Sequence, residues 1–167
     1  MLSDPLTSEG RVFIGCGDGK IYCLNSASGE IVWEYQTDGL MRQRPILENG
    51  ILYAFVRDTY IWYAIDASTG QLIWRGNANT DESLFVCGDV RPVIANGKLW
   101  CIDAQNTRPA YLSLDTGELA WTSTLEKVSS RGMTTNGSTV FYSSNSGRQI
   151  QRLMQRQTKL FAKGSSL

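Results

Sequence analysis

The amino-acid sequence predicts an all-β chain made of four repeated units, each a four-stranded antiparallel sheet. Three observations carry that expectation. A glycine leading into an apolar run recurs at Gly10, Gly50, Gly97 and Gly137, at intervals of 40, 47 and 40 residues. An aromatic residue closes each unit at Trp33, Trp74, Trp121 and Phe161, at intervals of 41, 47 and 40. Within the units, short alternating runs rich in β-branched and aromatic residues are broken by Gly, Asn and Asp, the pattern of half-buried strands joined by tight turns. A period of about 40 to 50 residues is that of blade-forming repeats, so the expected architecture is a partial β-propeller of four blades.

The first unit justifies its elements in order. Pro5-Leu6-Thr7 reads as a short leading strand. Gly10-Arg11-Val12-Phe13-Ile14-Gly15 and Ile21-Tyr22-Cys23-Leu24 read as a hairpin about the turn Gly17-Asp18-Gly19-Lys20. Asn25-Ser26-Ala27-Ser28-Gly29 is a polar turn whose glycine can take positive φ, and Glu30-Ile31-Val32-Trp33-Glu34-Tyr35 is the closing strand. The second unit repeats this almost position for position, from Gly50-Ile51-Leu52-Tyr53-Ala54 to Gln71-Leu72-Ile73-Trp74. Leading strands recur at Pro45-Ile46-Leu47, Pro92-Val93-Ile94 and Gly132-Met133-Thr134, which makes about sixteen strands in all. The expected blades cover about residues 4–39, 40–80, 88–125 and 130–163.

Two stretches depart from the beat. The longer middle interval falls between Trp74 and Gly97, where the polar run Asn77–Ser83 reads as a surface insertion. In the last unit Met154-Gln155-Arg156-Gln157-Thr158 stands where the other units have a Gly turn, and Phe161 stands for Trp. From Arg148 to Lys163 there are basic residues and no acids, and the apolar positions also fit a helical stripe. Either a worn last blade or a basic amphipathic helix satisfies that segment.

Composition narrows the chemistry. The 167 residues include 16 Lys+Arg, 16 Asp+Glu and no histidine. Without an imidazole there is no His base, no His-ligated metal and no Ser-His-Asp or Cys-His pair. Zero formal net charge gives no general attraction to nucleic acid or an anionic membrane. No apolar run is long enough to span a bilayer as a helix, and residues 1–10 do not read as a signal peptide. Cys16, Cys23, Cys87 and Cys101 are neither adjacent nor in CxxC spacing, so they read as reduced core or loop thiols. Gly15-Cys16-Gly17-Asp18-Gly19 joins two strands and therefore reads as a turn, not a phosphate loop. Asn136-Gly137-Ser138 has the form of a glycosylation acceptor but occupies the repeat's turn.

The closing segment Ala64-Ile65-Asp66-Ala67-Ser68-Thr69-Gly70-Gln71-Leu72-Ile73-Trp74, with its counterparts at Leu24–Trp33 and Leu112–Trp121, resembles the tryptophan-docking repeat of the pyrroloquinoline-quinone (PQQ)-like β-propellers. Gly and Trp keep a four-residue separation at 29 and 33, 70 and 74, and 117 and 121. The resemblance implies that Gly29, Trp33, Gly70, Trp74, Gly117, Trp121 and Phe161 are structural docking residues, each ring lying against the turn of the next blade. It implies a family that includes quinoprotein dehydrogenases, which bind PQQ and calcium on the axis, and outer-membrane-assembly lipoproteins, and in which many relatives have the repeats and no cofactor. The dehydrogenases clamp the quinone under adjacent cysteines, absent here, and no calcium ligand set or catalytic Asp maps onto Asp66, Asp103 or Asp115. The name of a repeat does not carry its chemistry.

The expected function is therefore a non-catalytic, protein-binding or scaffold module. Its alternatives are a fragment of a PQQ-dependent dehydrogenase and the sensor propeller of a larger receptor or kinase. No cofactor, metal or nucleic acid is expected, and the partner is a protein. Propellers of this family usually close with seven or eight blades, so four units of about 42 residues (167/4) suggest a half-propeller completed by a second copy, or a piece of a longer chain. The lack of a signal points to the cytoplasm, the family to the periplasm. One further constellation stands out: Arg44, Arg91 and Arg131 each precede the first strand of a unit at the repeat's own spacing, with Asp4 at the matching place in unit one. Converging on the axis, they would bind a carboxylate, a phosphate or an acidic partner loop; otherwise they are solvated charges at strand starts.

Overall fold

The structure is a computed structural model that describes residues 3–56, 58–59, 61–77, 91–103, 108–123, 133–143 and 150–153. Fifteen strands are found among them, in four antiparallel sheets that follow chain order. The first sheet is β1 (Leu6–Ser8), β2 (Arg11–Gly15), β3 (Lys20–Asn25) and β4 (Ile31–Gln36). The second is β5 (Ile46–Glu48), β6 (Ile51–Val56), β7 (Ile61–Asp66) and β8 (Leu72–Asn77). The third is β9 (Val93–Ala95), β10 (Lys98–Asp103), β11 (Arg108–Ser113) and β12 (Leu119–Thr122). The fourth holds β13 (Met133–Thr135), β14 (Val140–Ser143) and β15 (Ile150–Leu153). The chain is thus an all-β set of propeller blades, as its repeats predict.

The first three blades are four-stranded meanders because their turns are short and fit their backbones. In the first three blades the leading strand returns through two residues that both take positive φ: Glu9-Gly10, Asn49-Gly50 and Asn96-Gly97. This is the type I′ hairpin, whose twist matches the flanking strands. Leu6 thereby faces Phe13, Ile46 faces Tyr53 and Val93 faces Trp100. The fourth blade differs from expectation. Thr135 pairs with Val140, so Asn136–Thr139 form a four-residue loop, and Met133 faces Tyr142. The Asn136 carboxamide oxygen accepts the Ser138 and Thr139 amides and holds that wider loop. Gly137 therefore shares the glycine beat without sharing the structural position of Gly10, Gly50 and Gly97.

Three apolar seams join the blades. Phe13, Ile21, Cys23 and Trp33 of the first pack on Leu52, Ala54, Val56, Ile61, Tyr63 and Ile65 of the second. Tyr53, Phe55, Trp62 and Ala64 pack on Leu99, Cys101, Ala110 and Leu112 of the third. Trp100 and Ile102 pack on Met133, Val140 and Tyr142 of the fourth. Blades two and three are therefore buried on both faces, as continuous apolar runs such as Ile51–Val56 require. The leading strands sit inward, where β9 and β13 touch.

Strand β15 pairs with β14 over Ile150–Leu153, so this part of the basic segment is extended, not helical. The rest of that segment, with Phe161, the region 78–90 holding most of the expected insertion and Cys87, and Arg131 lie outside the described residues. Cys16, Cys23 and Cys101 are unbridged thiols, the last two buried.

Candidate functional site

Along the blade seams the repeated Gly and Trp have defined neighbours. In blade one the Asn25 side chain accepts the Ala27 and Ser28 amides, and the Gly29 amide closes the turn onto the Asn25 carbonyl. Asp66 does the same in blade two with the Ser68 amide and hydroxyl and the Thr69 amide. These donors, the Ser68 hydroxyl foremost, hold its carboxyl at a pKa of about 2. Gly29, Gly70 and Gly117 end the three turns with φ of 75°, 75° and 71°. That left-handed backbone presents a bare Cα face, and the neighbouring indole occupies it: a Cβ on Gly70 would fall 2.7 Å from Trp33 Cδ2, and one on Gly117 would fall within the Trp74 ring's envelope. Trp33 Nε1 donates to the Ala67 carbonyl at 3.0 Å, and Trp74 Nε1 to the Leu114 carbonyl at 2.7 Å. Trp121 stacks on Tyr111 at 5.6 Å within its own blade and meets Trp100 edge-on.

Several seam residues escape a reading of the sequence. Arg11 reaches across from blade one and donates to the Ala67 and Ser68 carbonyls at 2.8 and 2.9 Å. Phe13, Tyr53 and Trp100 each lie about 6 Å from the closing Trp of their own blade. Their spacing of 40 and 47 residues is the repeat interval, and that was the available signal. At the linker between blades one and two, the Tyr63 hydroxyl donates to Asp38 at 2.5 Å, the Asp38 amide donates back to it, and Arg75 pairs with Asp38. Burial, then the Asp38 hydrogen bond, pushes the Tyr63 phenol up to about 12.

At the inner mouth the strand registers place Asp4, Arg44 and Arg91 alike, two residues before Leu6, Ile46 and Val93. Arg91 Nη2 and Asp4 Oδ2 meet at 2.6 Å, although 87 residues separate them and both are exposed. Arg44 is exposed and has no ion-pair partner among the described residues. Among the described residues the mouth thus holds the Asp4–Arg91 pair beside the exposed Arg44 guanidinium. An exposed pair of this kind contributes at most about 1 kcal/mol to stability.

The outer rim carries the largest exposed apolar side chains. Ile31 and Val32 on β4, Leu72 and Ile73 on β8, and Leu119 on β12 are 41–57% exposed and stand one or two places before each closing Trp. Among the described residues these strands are hydrogen-bonded on one side only, to β3, β7 and β11. The rim therefore offers edge amides and carbonyls together with aliphatic side chains. Calcium takes about six to eight oxygen ligands, and no three Cys, Asp or Glu side chains converge among the described residues.

The sequence profile of a family described as outer membrane protein assembly factor BamB matches residues 2–160. The outer membrane protein assembly factor BamB of Yersinia pestis is 26% identical over 129 residues, covering 77% of this chain and 32% of the relative. That of Legionella pneumophila is 26% identical over 144 residues, covering 79% and 34%. The chain thus spans about a third of the length of these curated relatives. Among solved structures, the computationally designed Ika4 superposes with a TM-score of 0.70 at 12% identity, over 92% of this chain and 91% of the design. The designed Ika8 gives 0.69 at 12% identity over 92% and 45%. BamB of Moraxella catarrhalis gives 0.63 at 16% identity over 86% and 42%.

Proposed function

The chain belongs to the PQQ-like repeat family described as outer membrane protein assembly factor BamB, and from that membership we propose that it is a non-catalytic scaffold that binds other proteins during outer-membrane protein assembly. The observation that carries the reading is the rim: three successive blades present an exposed aliphatic residue or pair on an edge strand. The occupant that matches is an extended segment of alternating apolar and polar residues, the pattern of an outer-membrane β-strand. It would add to β4 or β8 through main-chain hydrogen bonds and take its register from the aliphatic side chains. Trp33 and Trp74 act in this reading as docking residues that hold successive rims in line, with Trp121 and Phe161 in the same role. The compartment is the periplasm, where such segments are exposed before assembly.

At the inner mouth, Arg44 and Arg91, with Arg131 in the equivalent place of the last unit, serve as a secondary contact for an acidic partner loop. Asp4 competes with that loop for Arg91. The alternative is a fragment of a PQQ-dependent dehydrogenase, a class whose quinohemoprotein alcohol dehydrogenases share the fold at a TM-score of 0.60. The test is a titration with a synthetic strand peptide of alternating apolar residues, read by anisotropy. Val32→Lys together with Ile73→Lys is expected to weaken binding at least fivefold while the far-UV spectrum stays unchanged. Undiminished binding by the folded double variant would sink the rim as the site.

A further inference from the structure

We propose that Asn49 is a self-modification site, at which the side-chain amide is lost, the turn between β5 and β6 is rebuilt through an isoaspartate, and the seat of blade one on blade two loosens. Asparagine is thermally labile, most of all before glycine, whose missing Cβ leaves its amide nitrogen open to the preceding carboxamide. The chain holds three such pairs, Asn49-Gly50, Asn96-Gly97 and Asn136-Gly137, and all of these residues are exposed. They share the chemistry and the access to water. Hydrogen bonding therefore decides which of them reacts.

Asn136 and Asn96 are tied down at the atoms that would have to move. The Gly137 amide, the nucleophile for Asn136, donates to the Thr135 hydroxyl at 2.9 Å. The Asn136 carboxamide oxygen is held by the Ser138 and Thr139 amides at 3.2 and 2.9 Å. The Asn96 carboxamide nitrogen, the leaving group, donates to the Ser138 carbonyl at 2.6 Å, across the seam between blades three and four. The Asn96 main-chain amide also donates to the Gly137 carbonyl, at 3.3 Å. Asn49 has the same left-handed backbone as Asn96, with φ of 49° against 52°. Among the described residues, neither its carboxamide nor the Gly50 amide makes a hydrogen bond, and the space above the Gly50 Cα is open to 4 Å. The Asn49 carboxamide is free to turn toward the Gly50 nitrogen.

The step needs no reagent but water. The Gly50 nitrogen gives its proton to solvent and bonds to Asn49 Cγ, the Cγ–Nδ2 bond breaks, and the side-chain nitrogen leaves as ammonia. Water then opens the cyclic imide. Aspartate results when the new Cγ–N bond breaks, and isoaspartate when the bond from the Gly50 nitrogen to the Asn49 main-chain carbonyl carbon breaks. Isoaspartate routes the main chain through Cβ and Cγ, which lengthens a turn built for two residues. The Gly50 carbonyl accepts the Ala67 amide at 2.9 Å. The Ala67 carbonyl in turn accepts Trp33 Nε1 at 3.0 Å and Arg11 Nη1 at 2.8 Å, both from blade one. The altered turn thus pulls on the residue that seats blade one, and its new carboxylate stands beside the exposed Glu48. The inference rests on turn geometry and not on the assembly role.

Incubation of the folded protein at mildly alkaline pH, followed by digestion, peptide mass mapping and isoaspartyl methyltransferase labelling, tests it. Asn49 is expected to react about fivefold faster than Asn96 or Asn136, the population factor for breaking one hydrogen bond. Thr135→Val frees the Gly137 amide and is expected to raise the Asn136 rate by about that factor while Asn49 keeps its own. Should Thr135→Val fail to fold, the order of rates in the parent carries the test. The purified isoaspartate form is expected to unfold at lower urea than Asn49→Asp, which carries the same charge on an unaltered main chain. Three results would each overturn the proposal: Asn96 or Asn136 reacting as fast as Asn49, Asn49 staying intact while a peptide of residues 46–53 is converted, or an isoaspartate form as stable as Asn49→Asp.

Discussion

Alanine at the three turn glycines separates the backbone contribution from the docking contribution at a blade seam. Gly29, Gly70 and Gly117 share nearly the same positive φ, so alanine pays the same left-handed penalty at each, about 1 to 2 kcal/mol. They differ in what stands above the Cα. Over Gly29 the space is open to 4 Å; over Gly70 the Cβ would be 2.7 to 3.0 Å from three atoms of the Trp33 ring, and over Gly117 it would press deeper into Trp74. An indole fused into a seam has no soft end to bend away. It must slide, and the Nε1 hydrogen bond lengthens with it. Overpacking of that kind adds about 1 to 3 kcal/mol.

The expected order of destabilisation is therefore Gly29→Ala, then Gly70→Ala, then Gly117→Ala, with the first about 1 to 2 kcal/mol and the others about 2 to 5. Urea unfolding followed by tryptophan fluorescence, at concentrations low enough to keep the chain monomeric, provides the measurement. Equal losses at Gly29 and Gly70 would refute the docking contribution, because the two residues differ in little else.

Two further outcomes follow from the same seams. Trp74→Phe is expected to cost about 1 to 2 kcal/mol more than ring truncation alone, since the Leu114 carbonyl loses its indole donor, whereas Trp33→Phe costs less because Arg11 still serves the Ala67 carbonyl; paired urea curves compare them. At alkaline pH the Tyr63 phenol, shifted from 10 to about 12, stabilises the fold fully below pH 10 and loses that contribution as pH rises to 12, at most about 3 kcal/mol. Tyr63→Phe is expected to flatten that part of the stability profile, leaving the smaller same-signed contributions of the buried Tyr53 and Tyr142.

The blades were legible in the sequence because a two-residue hairpin and a glycine-ended turn each demand particular residues at fixed separations. Glu9-Gly10, Asn49-Gly50 and Asn96-Gly97 satisfy one demand, and the turns ending at Gly29, Gly70 and Gly117 satisfy the other. The same reasoning misplaced Gly137, because Asn-Gly suits a four-residue loop as well as a two-residue turn, and only pairing partners distinguish them. The strand β15 was ambiguous for a similar reason: its apolar spacing fits both periods, and hydrogen bonding to β14 decides between them. At the mouth, equivalence of Asp4, Arg44 and Arg91 followed from the repeat, but which charges would meet depended on the curvature of the arc, a property of three blades together that no single repeat encodes.

The covered glycine turns and the exposed rim arise from one structural economy. A repeat that buries its aromatic ring on the following turn must keep that turn small and its preceding strand positions free, so Ile31, Val32, Leu72 and Ile73 cannot fold inward with Trp33 and Trp74. Alternation alone would leave one of each pair outside; the register shifts in β4 and β8 next to the Trp leave both outside. The bulge that aims the indole at its neighbour is thus also what exposes the aliphatic pair. If the rim is the binding surface, straightening that bulge would weaken docking and binding together, and this coupling distinguishes a surface produced by the repeat from one added to it.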